Sequence, residues 1–168
     1  MIRMSHKIYL TREKRGLGQS SAKKLIEKAV KAALSAEKIA QPCEVSVLLT
    51  DDAGIRALNL QFRNIDSATD VLSFPANTFK PGGFDPVNAE INPESGRLVL
   101  GDMALSLERA EAQGAEFGHG SDREIQYLTV HSVLHLLGYD HLDEGDMKKQ
   151  MRLREKEIMG IIEGEKEQ

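Results

Sequence analysis

Residues 121 to 141, SDREIQYLTVHSVLHLLGYDH, constrain this chain more than any other stretch. Ser121 with Glu124 three residues on has the pattern of a capping box. Beyond it Ile125, Leu128, Val130, Val133, Leu134 and Leu137 spread around most of a helix's circumference, so the helix is expected to be largely buried. His131 and His135 stand four apart and project from one face about 40° apart, close enough to hold one ion. Gly138 supplies a left-handed residue that ends the helix and turns the chain back, letting His141 approach from a third direction. Three neutral imidazoles around one point make a metal site. Three protein ligands leave a fourth position for water, the pattern of a catalytic zinc rather than a closed structural one. The chain has five histidines, and three of them fall between 131 and 141, which separates this cluster from a scattering of surface imidazoles. The expected chemistry is metal-dependent hydrolysis in a site whose apolar walls hold the ligands and keep it dry.

Asp140 lies in the same turn. A carboxylate just past a helix C-terminus meets the negative end of the dipole, an unfavourable position unless something cationic offsets it, and the metal would do so. Two readings stand for it: a role beside the metal, handling protons, or an ordinary turn residue bonding nearby backbone amides.

Composition fits one domain over residues 1 to 168, since 40% hydrophobic residues suffice for one core. Cys43 is the single cysteine, and its place in the apolar run CEVSVLLT marks it as a small buried hydrophobe rather than a nucleophile. The N-terminus lacks the apolar core of a signal peptide, and no run approaches the ~18 apolar residues of a membrane span. Cytoplasm is the expected compartment, with no membrane partner. A net charge of −4 excludes a broadly basic nucleic-acid binder, so any RNA contact must be local, salt-dependent and helped by a partner.

The order of elements reads as α/β. KIYL at 7 to 10 is a short strand. A helix capped by Ser20 or Ser21 carries Leu25, Ile26, Val30, Ala33 and Leu34 on one face and lysines on the other. Val45 to Leu49 is a buried strand, after which Thr50 or Asp51 caps a helix through Phe62 with Ile55, Leu58 and Phe62 inward. Val71 to Phe74, stopped by Pro75, and Leu98 to Leu105 are further strands. Between them residues 76 to 96, with three prolines and Gly82-Gly83, form a loop. Residues 143 to 160 make a charged final helix with Met147, Met151, Leu153 and Ile158, followed by a frayed tail.

HSVLHLLGYDH at 131 to 141, LNLQFRNIDSATDVLSFP at 58 to 75 and LGDMALS at 100 to 106 together resemble the YbeY family of bacterial metal-dependent endoribonucleases that mature ribosomal RNA. The resemblance implies an α/β (α+β) fold with a small mixed sheet of about four strands packed with helices. It implies zinc held by His131, His135 and His141, and activity on single-stranded RNA with the small ribosomal subunit or its proteins as partner. It also implies that Arg63 takes part in catalysis or substrate binding. Read from physics alone, Arg63 is either a solvated or salt-bridged residue or a fork suited to bidentate phosphate contact. Asp70 and Ser73 lie on the strand motif; Ser73 is a candidate substrate contact, whereas Asp70 is expected to cap or pair locally. Strand alternation prevents all of these side chains from facing one substrate. His119 is expected to be a loop or helix-start contact, and no catalytic role is assigned to Asp102.

The histidine spacing is also similar to that of metzincin proteases, giving a zincin-like metal helix. Where such a protease carries a glutamate base after the first histidine, this chain has Ser132, which does not take a proton from water at neutral pH, so peptide hydrolysis is disfavoured. For a phosphodiester the metal and Arg63 can share the growing negative charge, with water and the RNA 2′-hydroxyl both open as nucleophile. Two other functions stay open: a ribosome assembly factor whose metal is structural, and a metallohydrolase of a peptide or small phosphoester. Native metal and oligomeric state are not legible, since histidine also suits nickel, copper or iron.

Overall fold

In a computed structural model of the chain, residues 4–140 and 145–166 are described. Period-two alternation builds a sheet with two unequal faces. In β2 (Cys43–Thr50) Cys43, Val45, Val47 and Leu49 are buried on one face. In β4 (Leu98–Ser106) the buried set begins with Leu98 and Leu100 and resumes with Met103 and Leu105. A bulge accounts for the change of parity: Glu44 pairs with Val99, but Val45 pairs with Gly101. Glycine is required there, because φ is 138° and a Cβ would lie 2.3 Å from the carbonyl oxygen of Phe74.

With β1 (Lys7–Arg12) and β3 (Val71–Pro75), the sheet has four strands in the order β1-β2-β4-β3. β1, β2 and β4 run parallel and β3 is antiparallel to β4, so β3 forms one edge of a mixed sheet. Pro75 tolerates its place because an edge strand leaves one side without a ladder bond.

The larger face carries four helices, α1 (Ala22–Ala36), α3 (Leu107–Glu116), α4 (Ser121–Leu136) and α5 (Asp146–Lys166), whose apolar residues share one core with the sheet. Among the described residues, no helix is long and apolar enough to cross a membrane. α4 is surrounded by α1, α3, α5 and β3, and ten of its sixteen residues are buried. The expected burial of the histidine helix is therefore met. On the opposite face α2 (Asp52–Arg63) covers a small cluster of Ile55, Leu72 and Ala104. Asp51 caps it, accepting from the Gly54 amide at 2.9 Å.

Several local expectations fail. α3 was not anticipated; beyond Leu107 at its first position its inward residues are only Ala110 and Gly114, which do not make an apolar stripe. No capping box forms at α4, because the N-cap falls on Gly120 with φ 84°. The chain passes so close to α3 there that a Cβ on Gly114 would lie 2.5 Å from the Gly120 carbonyl, and Glu124 turns instead to His119, 2.6 Å away. His119 is thus the helix-start contact expected of it. Phe62 is 58% exposed and meets Phe74 edge-on at 5.4 Å, while Asn59 takes the inward place and donates to the Ser67 carbonyl at 3.0 Å. On α5 Leu153 is exposed and Glu155 is buried.

Candidate metal and RNA cleft

The turn that ends α4 is a Schellman motif built on Gly138. The Tyr139 amide donates to the Leu134 carbonyl at 3.0 Å and the Gly138 amide to the His135 carbonyl at 3.0 Å, with φ 99° at Gly138. The loop from 76 to 96 presses on this turn: a Cβ at Gly138 would lie 2.2 Å from the Phe79 carbonyl oxygen. Tyr139 is buried and its hydroxyl donates to Glu37 at 3.0 Å; burial, then the Glu37 charge, pushes its phenol up to about 12. Its backbone carbonyl is thereby held 3.0 Å from His135 Nδ1.

That contact fixes a tautomer. A carbonyl oxygen only accepts, so His135 carries its proton on Nδ1 and presents the Nε2 lone pair. His131 is fixed in the same sense by a carboxylate: its Nδ1 lies 2.6 Å from Glu155 Oε1, and the Tyr127 hydroxyl donates to Glu155 Oε2 at 2.7 Å. Burial would raise Glu155, but the bonds from His131 and Tyr127 outweigh it and hold the carboxyl below its usual range.

The two Nε2 atoms consequently face each other 3.1 Å apart. Two lone pairs at that distance repel unless an electrophile is shared between them. Two ligands of a tetrahedral zinc at its usual bond length stand about 3.3 Å apart. The pair therefore fits a zinc-type ion, and imidazole nitrogen is a donor that zinc favours. Among the described residues no group of three or more His, Cys, Asp or Glu is placed to hold a metal ion, and His141, expected as the third ligand, lies outside them.

These histidines line a cleft of about 640 Å³ together with Asp140, Ser73, Asp70 and Arg63. Arg63, the last residue of α2, reaches it around the sheet edge. Its guanidinium donates to the Ser73 carbonyl at 2.6 Å and lies over the Phe74 ring at 5.3 Å. Ser73 faces the other way along the pleat, its hydroxyl 2.7 Å from that of buried Ser132 on α4. Leu72 and Phe74 point to the α2 side, as strand alternation requires. Asp70 pairs locally through one oxygen, accepting from the Val71 amide at 2.7 Å, but its other oxygen accepts from the Gln113 side chain on α3 at 3.4 Å. Asp102 is exposed on β4 and does not line this cleft.

Glu155, Tyr127 and the Tyr139 carbonyl were not anticipated. A trace of the first was present: Met151, Glu155, Ile158 and Ile162 follow helical spacing, so one acidic residue occupies an apolar stripe.

The family described as endoribonuclease YbeY matches residues 7–163. A protein named endoribonuclease YbeY from Clostridium botulinum (strain Loch Maree / Type A3) is 51% identical over 140 residues, 80% of this chain and 84% of its own length. Its namesake from Clostridium kluyveri is 46% identical over 142 residues, covering 81% and 86% of the two chains. That of Roseiflexus sp. is 45% identical over 138 residues, covering 82% of each. The fold is similar to that of a Thermotoga maritima protein determined in solution, with a TM-score of 0.57 and 25% identity over 95% of this chain and 93% of the other. On the match across residues 7–163 and these identities, the chain belongs to the endoribonuclease YbeY family.

Proposed function

We propose that this protein is a metal-dependent endoribonuclease that cuts single-stranded RNA during ribosomal RNA maturation and quality control, using the cleft between α4, β3 and the end of α2. The observation that carries the reading is the pair of Nε2 atoms 3.1 Å apart, lining one cleft with the fixed guanidinium of Arg63. His131, His135 and His141 would hold one zinc ion. Bound there, zinc supplies Lewis acidity to the phosphoryl group and acidifies an attacking hydroxyl.

The chain's own residues do the rest. Arg63 binds non-bridging phosphoryl oxygens, and its two anchors on Ser73 and Phe74 fix its direction before substrate arrives, so little reorganisation accompanies the build-up of charge. Asp140 accepts the nucleophile's proton at a carboxylate oxygen. Ser73 keeps a lone pair for an RNA hydroxyl beyond its bond to Ser132. Ser132 supplies no base at the position where a zinc protease has one, which disfavours peptides.

A net charge of −4 gives little non-specific hold on RNA. The small ribosomal subunit or one of its proteins is therefore assigned the task of bringing substrate to the cleft, in the cytoplasm. A panel of single-stranded RNA, duplex RNA, single-stranded DNA and a peptide, each offered to the zinc-loaded protein, tests this. Cleavage confined to single-stranded RNA is expected. Peptide cleavage, or equal cleavage of RNA and DNA, would overturn it.

A further inference from the structure

Glu155 is 5% exposed on α5 and spends both carboxylate oxygens on α4, one on His131 Nδ1 and the other on the Tyr127 hydroxyl. Taking a carboxylate out of water costs several kcal/mol unless bonds and charge repay it. The groups bonded to its carboxylate are an imidazole and a phenol, and neither is a permanent cation. α5 does not need this carboxylate to stay in place by burial alone, since Met151, Ile158, Met159 and Ile162 are all buried in the core. Its location therefore calls for a role at the far side of the imidazole ring.

We propose that Glu155 is a positioning residue that couples the last helix to the metal: it holds His131 with Nε2 turned toward His135, so that docking of α5 and filling of the site favour each other. The proposal rests on the metal reading above. An anionic acceptor on Nδ1 increases the electron density at Nε2 and fixes the ring plane, and a divalent cation on Nε2 in turn compensates the buried charge of Glu155. Linkage makes the effect reciprocal, so whatever factor the docking of α5 adds to metal affinity, metal adds to the docking of α5.

Two measurements on the full chain test this. Zinc affinity is measured by competition with a chromogenic chelator for the intact protein, Glu155→Gln, His135→Ala and the exposed control Glu157→Gln. Amide hydrogen exchange across residues 146–166 is followed with and without zinc. Glu155→Gln, with its fold checked by circular dichroism, is expected to bind zinc about 10- to 100-fold more weakly. Glu157→Gln should bind like the intact protein. Zinc should slow exchange in α5 of the intact protein, and do so less in Glu155→Gln. Affinity within two-fold of the intact protein in Glu155→Gln overturns the proposal. So does the absence of any zinc effect on α5 exchange in the intact protein, a result that needs no variant to fold. Equal zinc binding by His135→Ala and the intact protein would instead overturn the metal reading itself.

Discussion

Gly138→Ala is the sharpest test of how the cleft is assembled, because one methyl group meets two separate obstacles. The backbone there has φ 99°, a region that costs an L-residue about 1–2 kcal/mol. The added Cβ would also lie 2.2 Å from the Phe79 carbonyl oxygen, roughly 1 Å inside the closest comfortable C···O approach of about 3.3 Å. Phe79 belongs to backbone that cannot rotate away, so either the loop from 76 to 96 lifts or the turn after α4 shifts. Relieving such overpacking costs typically about 1–3 kcal/mol. Together the two terms give a loss of about 3 kcal/mol, or about 6–12 °C in Tm for a chain of this size. Gly82→Ala separates them: φ there is 68°, but nothing lies within 4 Å of the new methyl group, so only the backbone term applies. Thermal and urea unfolding of both variants supply the comparison. Zinc affinity of Gly138→Ala should fall as well, since the Tyr139 carbonyl that sets His135 sits one residue away. Equal destabilisation by the two substitutions would refute the packing argument.

Ser73→Ala removes the partner of a buried hydroxyl and should cost about 1–3 kcal/mol, with Ser73→Ala/Ser132→Ala costing less than the sum of the singles in a double-mutant cycle by urea unfolding; strict additivity would speak against the contact. Asp51 is held below the usual 3.8, first by the Lys14 ammonium and then by the Gly54 amide. Its charge therefore stabilises the fold fully above about pH 4 and less as pH falls through the lowered value, so the stability gap between the intact protein and Asp51→Asn should close as pH falls below about 4; a gap that persists at low pH would contradict it. Burial pushes the Cys43 thiol up to about 12, so it should resist alkylation at pH 8 in the native protein and react on unfolding; rapid native labelling is the adverse result.

What the sequence made legible here is what lies within a turn or two of helix. His131, His135 and Gly138 form a local pattern, and the end of the helix at a left-handed glycine follows from it. The strands were legible because Val45 to Leu49 and Leu98 to Leu105 face an apolar layer, though the bulge at Gly101 depends on the neighbouring strand. α3 escaped notice because, after Leu107, only Ala110 and Gly114 face the core. Phe62 was placed inward on periodicity, but α2 ends at the sheet edge, where its last turn meets Phe74 rather than the interior. Arg63 was indicated by family resemblance; its anchors on Ser73 and Phe74 exist only once β3 lies against the end of α2. Glu155 is the clearest case of tertiary information, since its partner His131 is 24 residues away on another helix and only the packing of α5 on α4 joins them.

The most direct test is cleavage of a labelled single-stranded RNA by the zinc-loaded protein beside Arg63→Ala and His135→Ala. Loss of one charge-stabilising donor typically costs about 10²–10³ in rate, so Arg63→Ala should keep its fold and its zinc and lose activity on that order, while His135→Ala loses zinc and activity together. Cleavage at the same rate by all three proteins, or none by the intact one, would contradict a nuclease site in this cleft.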